Sequence, residues 1–359
     1  MDNYVCKWGI VGSGGVVEEF LSSLKYSERQ IARGIFSTNA TGAKILAQEH
    51  QLEFFSSIEE LVESSKVDAI YIASPNSQHF QDAKKALAAK KNVLIEKPCC
   101  TNSDQVLELL DIARGQEVLV AENLWICHLP GIGELLKQIE EGDLGEIKSV
   151  DINVGFDLLG RRLSMSKYQL FMRRIFLKFW PRVILNPLIP HGISALDRNN
   201  FFEPIPHLSK SKMQGSLMDF GIYGLSIIQL ITSNPILIDV KSRTINEIDV
   251  WTTARIKDGH TTLNFSCSLF FPEQNFIRVR GTKGSLTLPN VFEPTKLIKK
   301  PLGEPNGIIE FPPVGPRFVS LLNDFEMALK NHVEKNLISR DILATYRLLD
   351  SIKKEINCE

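Results

Sequence analysis

The residues best able to do chemistry fall into three groups. The first is Gly9-Ile10-Val11-Gly12-Ser13-Gly14-Gly15-Val16-Val17, set between an apolar run and a stretch of helical spacing. Gly12 permits a tight turn, and Gly14 lets the backbone approach a pyrophosphate. The helix that follows offers that anion unpaired N–H groups and the positive end of its dipole. Gly12, Ser13, Gly14, Gly15 and Val16 are therefore the candidate dinucleotide cradle, with Val17 standing where the G-x-G-x-x-G fingerprint has its third glycine. The second group is Phe36-Ser37-Thr38-Asn39, a strand end that lacks the acid which binds the adenosine ribose hydroxyls. Ser37 and Thr38, with Lys44 a few residues on, can receive a 2′-phosphate that no carboxylate repels, which favours NADP. The alternative is that both are ordinary loop residues and that NAD, or either cofactor, is used. The third group is Lys97, at the carboxyl end of a short strand, where parallel sheets place their ligands, together with Asp219 and Tyr223. The last two are spaced i, i+4 and so share one helix face.

These residues need elements to position them. An apolar run at 4–11 reads as a buried strand, 16–24 as a helix and 30–36 as a second strand. Helices are expected at 41–49 and 58–64, the latter capped by Ser57. The continuous apolar run at 67–73 is the kind of strand buried in a parallel sheet. A helix at 79–90, a strand at 92–95, a helix at 103–114 and a strand at 118–121 complete the alternation of a doubly wound sheet. After Asn123 the character changes. A helix at 131–141 precedes alternating stretches at 147–156, 236–245, 249–256, 261–270 and 276–281, which read as antiparallel strands with one covered face. Helices at 318–331 and 339–356 end the chain. At 359 residues the chain is too long for one ordinary core. The expected division is a Rossmann domain at 1–123 and an α+β domain at 124–359.

Composition narrows the function. Apolar residues make up 43% and charged residues 23%, the balance of a soluble enzyme. A net charge of −1 excludes a general nucleic-acid binder. Neither a signal peptide nor a bilayer-spanning stretch is expected. The six cysteines form no CxxC pair and no zinc-like cluster with histidine, so reduced thiols in a cytoplasm, and no metal, are the expectation.

Four further segments carry a specific resemblance. They are Ala73-Ser74-Pro75-Asn76-Ser77-Gln78-His79, Glu96-Lys97-Pro98, Gly215-Ser216-Leu217-Met218-Asp219-Phe220-Gly221-Ile222-Tyr223-Gly224 and Gly281-Thr282-Lys283-Gly284-Ser285. In this order and spacing they resemble the Gfo/Idh/MocA oxidoreductases, over nearly the whole chain. Tyr at position 223, where many relatives have His, resembles the subgroup of glucose–fructose oxidoreductase and dihydrodiol dehydrogenase. The resemblance implies an α/β fold: an N-terminal doubly wound parallel sheet, then an α+β domain with a large open, mostly antiparallel sheet, and the active site in the cleft. It implies that Ser74, Pro75, Asn76, His79, Glu96 and Lys97 help to bind the cofactor, and that Pro98 follows a cis bond. It further implies homo-oligomers through the second sheet and a small, sugar-like substrate.

The chemistry then reads as follows. Hydride transfer from an alcohol carbon needs the hydroxyl proton removed, and the reverse needs an acid. Lys97 holds the substrate oxygen and relays its proton; Tyr223 is the proton donor or acceptor, its phenol pKa lowered by the nearby cation; Asp219 assists. The competing readings are a Lys97 merely paired with Glu96 or solvent, a Tyr223 that only packs, and an Asp219 that caps a helix. Relatives of the dihydrodiol dehydrogenase type carry Arg where Cys127 stands. Trp125 and His128 are candidate substrate residues, His128 either compensating for that loss or serving structure. The chain is also longer than its relatives at about 158–213, a basic stretch interleaved with aromatic residues. A lid or oligomer arm, packing on the protein's own core, or contact with an acidic membrane are the readings, the last least favoured. The expected activity is an NAD(P)-dependent dehydrogenase or reductase acting on a sugar, sugar derivative or polyol. The alternatives are a regulator or scaffold of the same fold without chemistry, and a reductase of a non-sugar carbonyl.

Overall fold

The computed structural model describes residues 4–155, 215–245, 247–269, 275–312, 315–331 and 342–358. The basic, aromatic insertion lies outside the described residues. The first sheet is built from β1 (Cys6–Val11), β2 (Gln30–Phe36), β3 (Glu53–Phe54), β4 (Ala69–Ile72), β5 (Asn92–Ile95) and β6 (Val120–Glu122). All of its pairings are parallel, in the order β3-β2-β1-β4-β5-β6, the dinucleotide-binding arrangement. Helices α1 (Gly15–Leu24), α2 (Ala40–His50), α3 (Ile58–Glu63), α4 (His79–Ala88) and α5 (Ser103–Gly115) supply the crossovers. Their starts are local chemistry: Asn39, Ser57 and Asn102 each accept a backbone N–H of the first turn with the side chain. β4 is buried at every position, as its unbroken apolar run requires of a central parallel strand.

After α6 (Pro130–Glu140) comes the second sheet. It contains β7 (Ile147–Gly155), β8 (Ile236–Ile245), β9 (Ile248–Asp258), β10 (Thr261–Ser268), β11 (Phe276–Gly281), β12 (Gly284–Pro289), β13 (Lys296–Pro301) and β14 (Gly307–Glu310). Its order is β14-β13-β12-β11-β7-β10-β9-β8, and its pairings are antiparallel except β7 with β10. The last three strands and the short β3 are additions to the elements expected from sequence. β9 shows the alternation of a one-sided sheet, with Ile248, Val250, Thr252, Ala254 and Ile256 buried. α7 (Ile222–Ile231) lies on this sheet, entered through a π-helical turn at Leu217–Gly221.

The last helices, α8 (Val319–Asn331) and α9 (Ile342–Cys358), run back to the first sheet. Phe325 of α8 meets Trp8 at 5.0 Å between ring centroids, and Phe20 stacks on Tyr71 at 3.9 Å in the same cluster. Gln30 joins the two parts: it accepts from Trp8 Nε1 at 3.1 Å and donates to the Leu322 carbonyl at 2.8 Å. The C-terminal helices thus brace the parallel sheet.

Gly12 and Gly14 set a direct contrast. Gly12 has φ +125°, and a Cβ there would sit 2.3 Å from the Ala73 carbonyl oxygen, whereas a Cβ at Gly14 meets nothing within 4 Å. Gly12→Ala is expected to cost about 2–4 kcal/mol in chemical denaturation, combining strain and overlap with backbone. Gly14→Ala is expected to cost less than about 1 kcal/mol. Equal losses would show that the turn is not built on Gly12.

Candidate active site

Gly12 ends β1 in a turn that no side chain fits. Gly14 is the N-cap of α1 and supplies no side-chain cap, so the first amides of the helix point outward over open space at Gly14 and Gly15. This suits a pyrophosphate, which brings its own acceptors and charge. Ser13 and Ser37 share a hydrogen bond of 3.1 Å between their hydroxyls, so the two loops meet at this end of the sheet. Ser37 Oγ also accepts from Asn39 N, while Thr38 is exposed. Lys44 sits 5.2 Å from the Phe54 ring centroid.

Ser74, Pro75 and Asn76 follow β4. The Ser74 hydroxyl donates to Asp82 at 2.7 Å. His79 is buried, and its ring nitrogens face the Pro98 carbonyl at 2.9 Å and the Ser74 carbonyl at 2.8 Å. It thus ties the loop after β4 to the turn after β5. Burial lowers its pKa, against those two bonds. The Lys97–Pro98 bond is cis, as the resemblance implied. Glu96 Oε1 accepts from the Tyr71 hydroxyl at 2.5 Å and from Asn123 Nδ2. Burial raises the Glu96 pKa, more than these donors and Lys97 lower it.

Lys97 does not pair with Glu96. Its ammonium crosses to the other domain, donating to the Asp219 carbonyl at 2.8 Å and lying 3.4 Å from Asp219 Oδ1. It also lies 5.8 and 5.6 Å from the ring centroids of Phe220 and Tyr223. Asp219 is in the π-helical turn and Tyr223 in the first turn of α7, rather than both in one regular helix. Such turns are frequent at functional sites because they reorient backbone groups. Asp219 is not the capping acid. Asp249 of β9 fills that role, accepting from Leu217 N and the Ser216 hydroxyl at 2.7 Å each.

Trp125 and Tyr223 are brought together: Trp125 Nε1 donates to the phenol oxygen at 3.1 Å, with Phe292 edge-on to Tyr223 at 5.6 Å. The phenol departs from expectation. Burial pushes the Tyr223 pKa well above its ordinary value, reinforced by the charges of Glu96 and Glu122; Trp125 and Arg317 pull it down without prevailing. Desolvation wins because the ring is 6% exposed. The phenol is therefore a firmly held proton. His128 turns to Asp324 of α8 at 2.6 Å. Arg317, which the sequence reading missed, places its guanidinium 5.1 Å from the Trp125 ring centroid and pairs with Glu19 of α1 at 2.9 Å. No sequence signal marked it, because it lies nearly two hundred residues beyond Trp125.

Residues 6–124 match the family described as "Oxidoreductase family, NAD-binding Rossmann fold", the Gfo/Idh/MocA model. Among curated proteins, mouse trans-1,2-dihydrobenzene-1,2-diol dehydrogenase is 28% identical over 316 residues, covering 86% of this chain and 80% of that one. The human protein of the same name is 27% identical over 304 residues, covering 82% and 78%. The D-xylose 1-dehydrogenase (NADP(+)) of Hypocrea jecorina is 29% identical over 157 residues, covering 40% of each chain. A 3-ketoreductase from Actinomadura kijaniata, solved with NADP and TDP-benzene, superposes with TM-score 0.77 at 19% identity, covering 98% of both chains. The aldose-aldose oxidoreductase of Caulobacter crescentus superposes with TM-score 0.76 at 17% identity, covering 98% of this chain and 97% of that one. The two structures establish the fold. Residues 6–124 thus match the NAD-binding unit of the Gfo/Idh/MocA oxidoreductases, and over most of its length the chain is similar to the dihydrodiol dehydrogenases.

Proposed function

We propose that this protein is an NADP-preferring dehydrogenase or reductase acting on a hydroxyl-bearing carbon of a sugar, sugar derivative or polyol. The observation that carries the reading is the meeting of Lys97, Asp219 and Tyr223, from two domains, at the carboxyl edge of the parallel sheet. Gly12, Ser13, Gly14, Gly15 and Val16 take the pyrophosphate. Ser74, Pro75, Asn76, His79 and Glu96 shape the nicotinamide end. When bound, the nicotinamide supplies or takes the hydride. Lys97 holds the substrate oxygen with its ammonium, and Asp219 keeps that ammonium aimed. Tyr223, protonated through burial, hands its proton to the oxygen in reduction. The Trp125 N–H, already bonded to the phenol oxygen, stabilises the charge that grows there.

The substrate class follows the relatives. Their names specify a cyclic vicinal diol and a pentose, both polyhydroxylated rings. A scaffold without chemistry is favoured chiefly by the loss of arginine at Cys127. Arg317 weakens that argument, since it brings a guanidinium to Trp125 from another element. A second copy stacked on the outer face of the eight-stranded sheet, around Asn153, Arg255 and Asn264, is the assembly we favour. Among the described residues, five cysteines are free thiols, four of them buried, which favours a reducing cytoplasm. No helix among the described residues is long and apolar enough to cross a membrane.

Because Ser37 and Thr38 stand where an acid would repel a 2′-phosphate, NADPH is expected to bind about tenfold or more tighter than NADH in fluorescence titration. Equal or reversed affinities would overturn the preference. Lys97→Met is expected to lower kcat by at least about a hundredfold while NADPH affinity changes less than about threefold. A proportional loss of both would make Lys97 a cofactor-binding residue. For Tyr223→Phe, kcat is expected to fall by roughly a hundredfold to ten-thousandfold with KM little changed. A variant at wild-type rate would remove Tyr223 from proton transfer.

A further inference from the structure

Behind Lys97 lies a buried acid that the mechanism above does not use. Glu122, the last residue of β6, is 2% exposed. Its Oε1 accepts from the backbone N–H of Cys99 at 2.8 Å and from the Tyr346 hydroxyl at 2.8 Å. The Tyr346 oxygen in turn accepts from Cys100 N at 3.3 Å. Two consecutive amides after Lys97-Pro98 are thus held by one carboxyl and one phenol. The phenol comes from α9, near the far end of the chain, and α9 grips the same segment twice more. Asp350 accepts from Ser103 N at 2.7 Å, and Lys353 donates to the Thr101 carbonyl at 2.7 Å. The same helix packs against α7, which carries Tyr223.

The second carboxyl oxygen, Glu122 Oε2, is buried and has no hydrogen-bond partner among the described residues. A bare carboxylate oxygen in that position costs several kcal/mol, whereas a protonated one costs far less. The groups facing Glu122 are the Cys99 thiol and amide from the turn, Tyr346 from α9, Lys97 from the end of β5, and Tyr223 from α7. Lys97 is the cation among them, and its ammonium is engaged by Asp219.

Resting on the proposed role of Lys97, we propose that Glu122 and Tyr346 are a positioning pair for it, and that the proton on Glu122 sets how readily Tyr223 yields its own. Neutral Glu122 leaves Lys97 to Asp219 and the substrate oxygen. An ionised Glu122 attracts the Lys97 cation and strengthens the hold of the Tyr223 phenol on its proton. The phenol becomes a poorer acid, so reduction slows. Burial raises the Glu122 pKa to about 7, over the lowering by Cys99, Tyr346 and Lys97, which places the change inside the working range. The sign is that of a raised acid: stability and activity linked to the proton are full at low pH and are lost as pH rises through about 7.

The test is kcat for carbonyl reduction with saturating NADPH between pH 6 and 8, beside thermal melts over the same range. Wild-type kcat is expected to fall roughly tenfold across the range, as one group titrating near 7 requires. Glu122→Gln keeps the acceptor for Cys99 N and Tyr346 but cannot ionise. Its kcat is expected to differ by less than about twofold between pH 6 and 8, and its melting temperature to lose the pH-dependent decline. Tyr346→Phe, which removes only a hydroxyl, is expected to lower kcat roughly tenfold with KM and NADPH affinity little changed. A limb that persists in Glu122→Gln while Lys97→Met is dead overturns the positioning pair alone. A Lys97→Met protein that still turns over overturns the Lys97 assignment, and the pair with it. If Glu122→Gln does not fold, Tyr346→Phe with wild-type kcat overturns the proposal.

Discussion

The arrangement depends on one cation leaving its own domain. Lys97 follows β5 of the parallel sheet, yet its ammonium bonds the Asp219 carbonyl on the π-helical turn above the eight-stranded sheet. A charge-assisted hydrogen bond of this kind contributes about 1.5–3 kcal/mol, whereas an ion pair of 3.4 Å between partly exposed groups contributes about 0–1. The carbonyl, rather than the carboxylate, is therefore the stronger tether. This explains why the turn matters: a π-helical turn reorients backbone groups, and here a carbonyl is presented to Lys97. Closing the cleft and aiming the lysine are one interaction.

Around that cation burial shifts acids toward their neutral form by withdrawing water from them. Burial raises the pKa of Glu96, Glu122 and Tyr223, and in each case it outweighs the hydrogen bonds that pull down. The layer beneath the proposed site thus opposes the cation less than exposed carboxylates would. A site built from ionised carboxylates would neutralise Lys97 by pairing; one built from buried acids leaves its charge for the substrate oxygen. The arrangement also assigns a task to the C-terminal helices. Phe325 and Gln30 lock α8 to β1, and Tyr346, Asp350 and Lys353 lock α9 to the segment after Lys97.

Legibility in the sequence tracked the range of the interactions. Five of the six parallel strands were readable to within about two residues, because βαβ units are local and unbroken apolar runs such as Ala69–Ile72 admit one burial pattern; the two-residue β3 was not. The Ser57 cap was readable for the same reason. β12 to β14 were not assigned, since Lys296, Lys299 and Lys300 in a short edge region mask the alternation. In the site, Lys97, Asp219 and Tyr223 were named from motif and spacing, and the structure brings them together. The phenol's pKa direction was misjudged, because a neighbouring cation is visible in sequence while the depth of burial is not. Asp249, which caps the turn from another strand thirty residues on, carries no local signature, so capping could be weighed only for Asp219.

The same distinction bears on Cys127. Where dihydrodiol-dehydrogenase relatives carry Arg, this chain has a thiol, and the adjacent His128 is committed to Asp324. The thiol supplies no cation, and the imidazole is turned to that carboxylate. Arg317 does lie on Trp125, reaching it from the segment that leads into α8, and its ion pair with Glu19 anchors it to α1. A guanidinium stacked on an indole contributes about 0.5–2 kcal/mol and stays charged at any working pH. The pKa of Tyr223 responds to that charge, so the cation acts on the phenol whose oxygen the same indole also holds. The position of a charge in a site is a property of space rather than of alignment column. A substitution that looks like a loss in sequence thus stands beside a guanidinium brought to Trp125 by the segment that leads into α8.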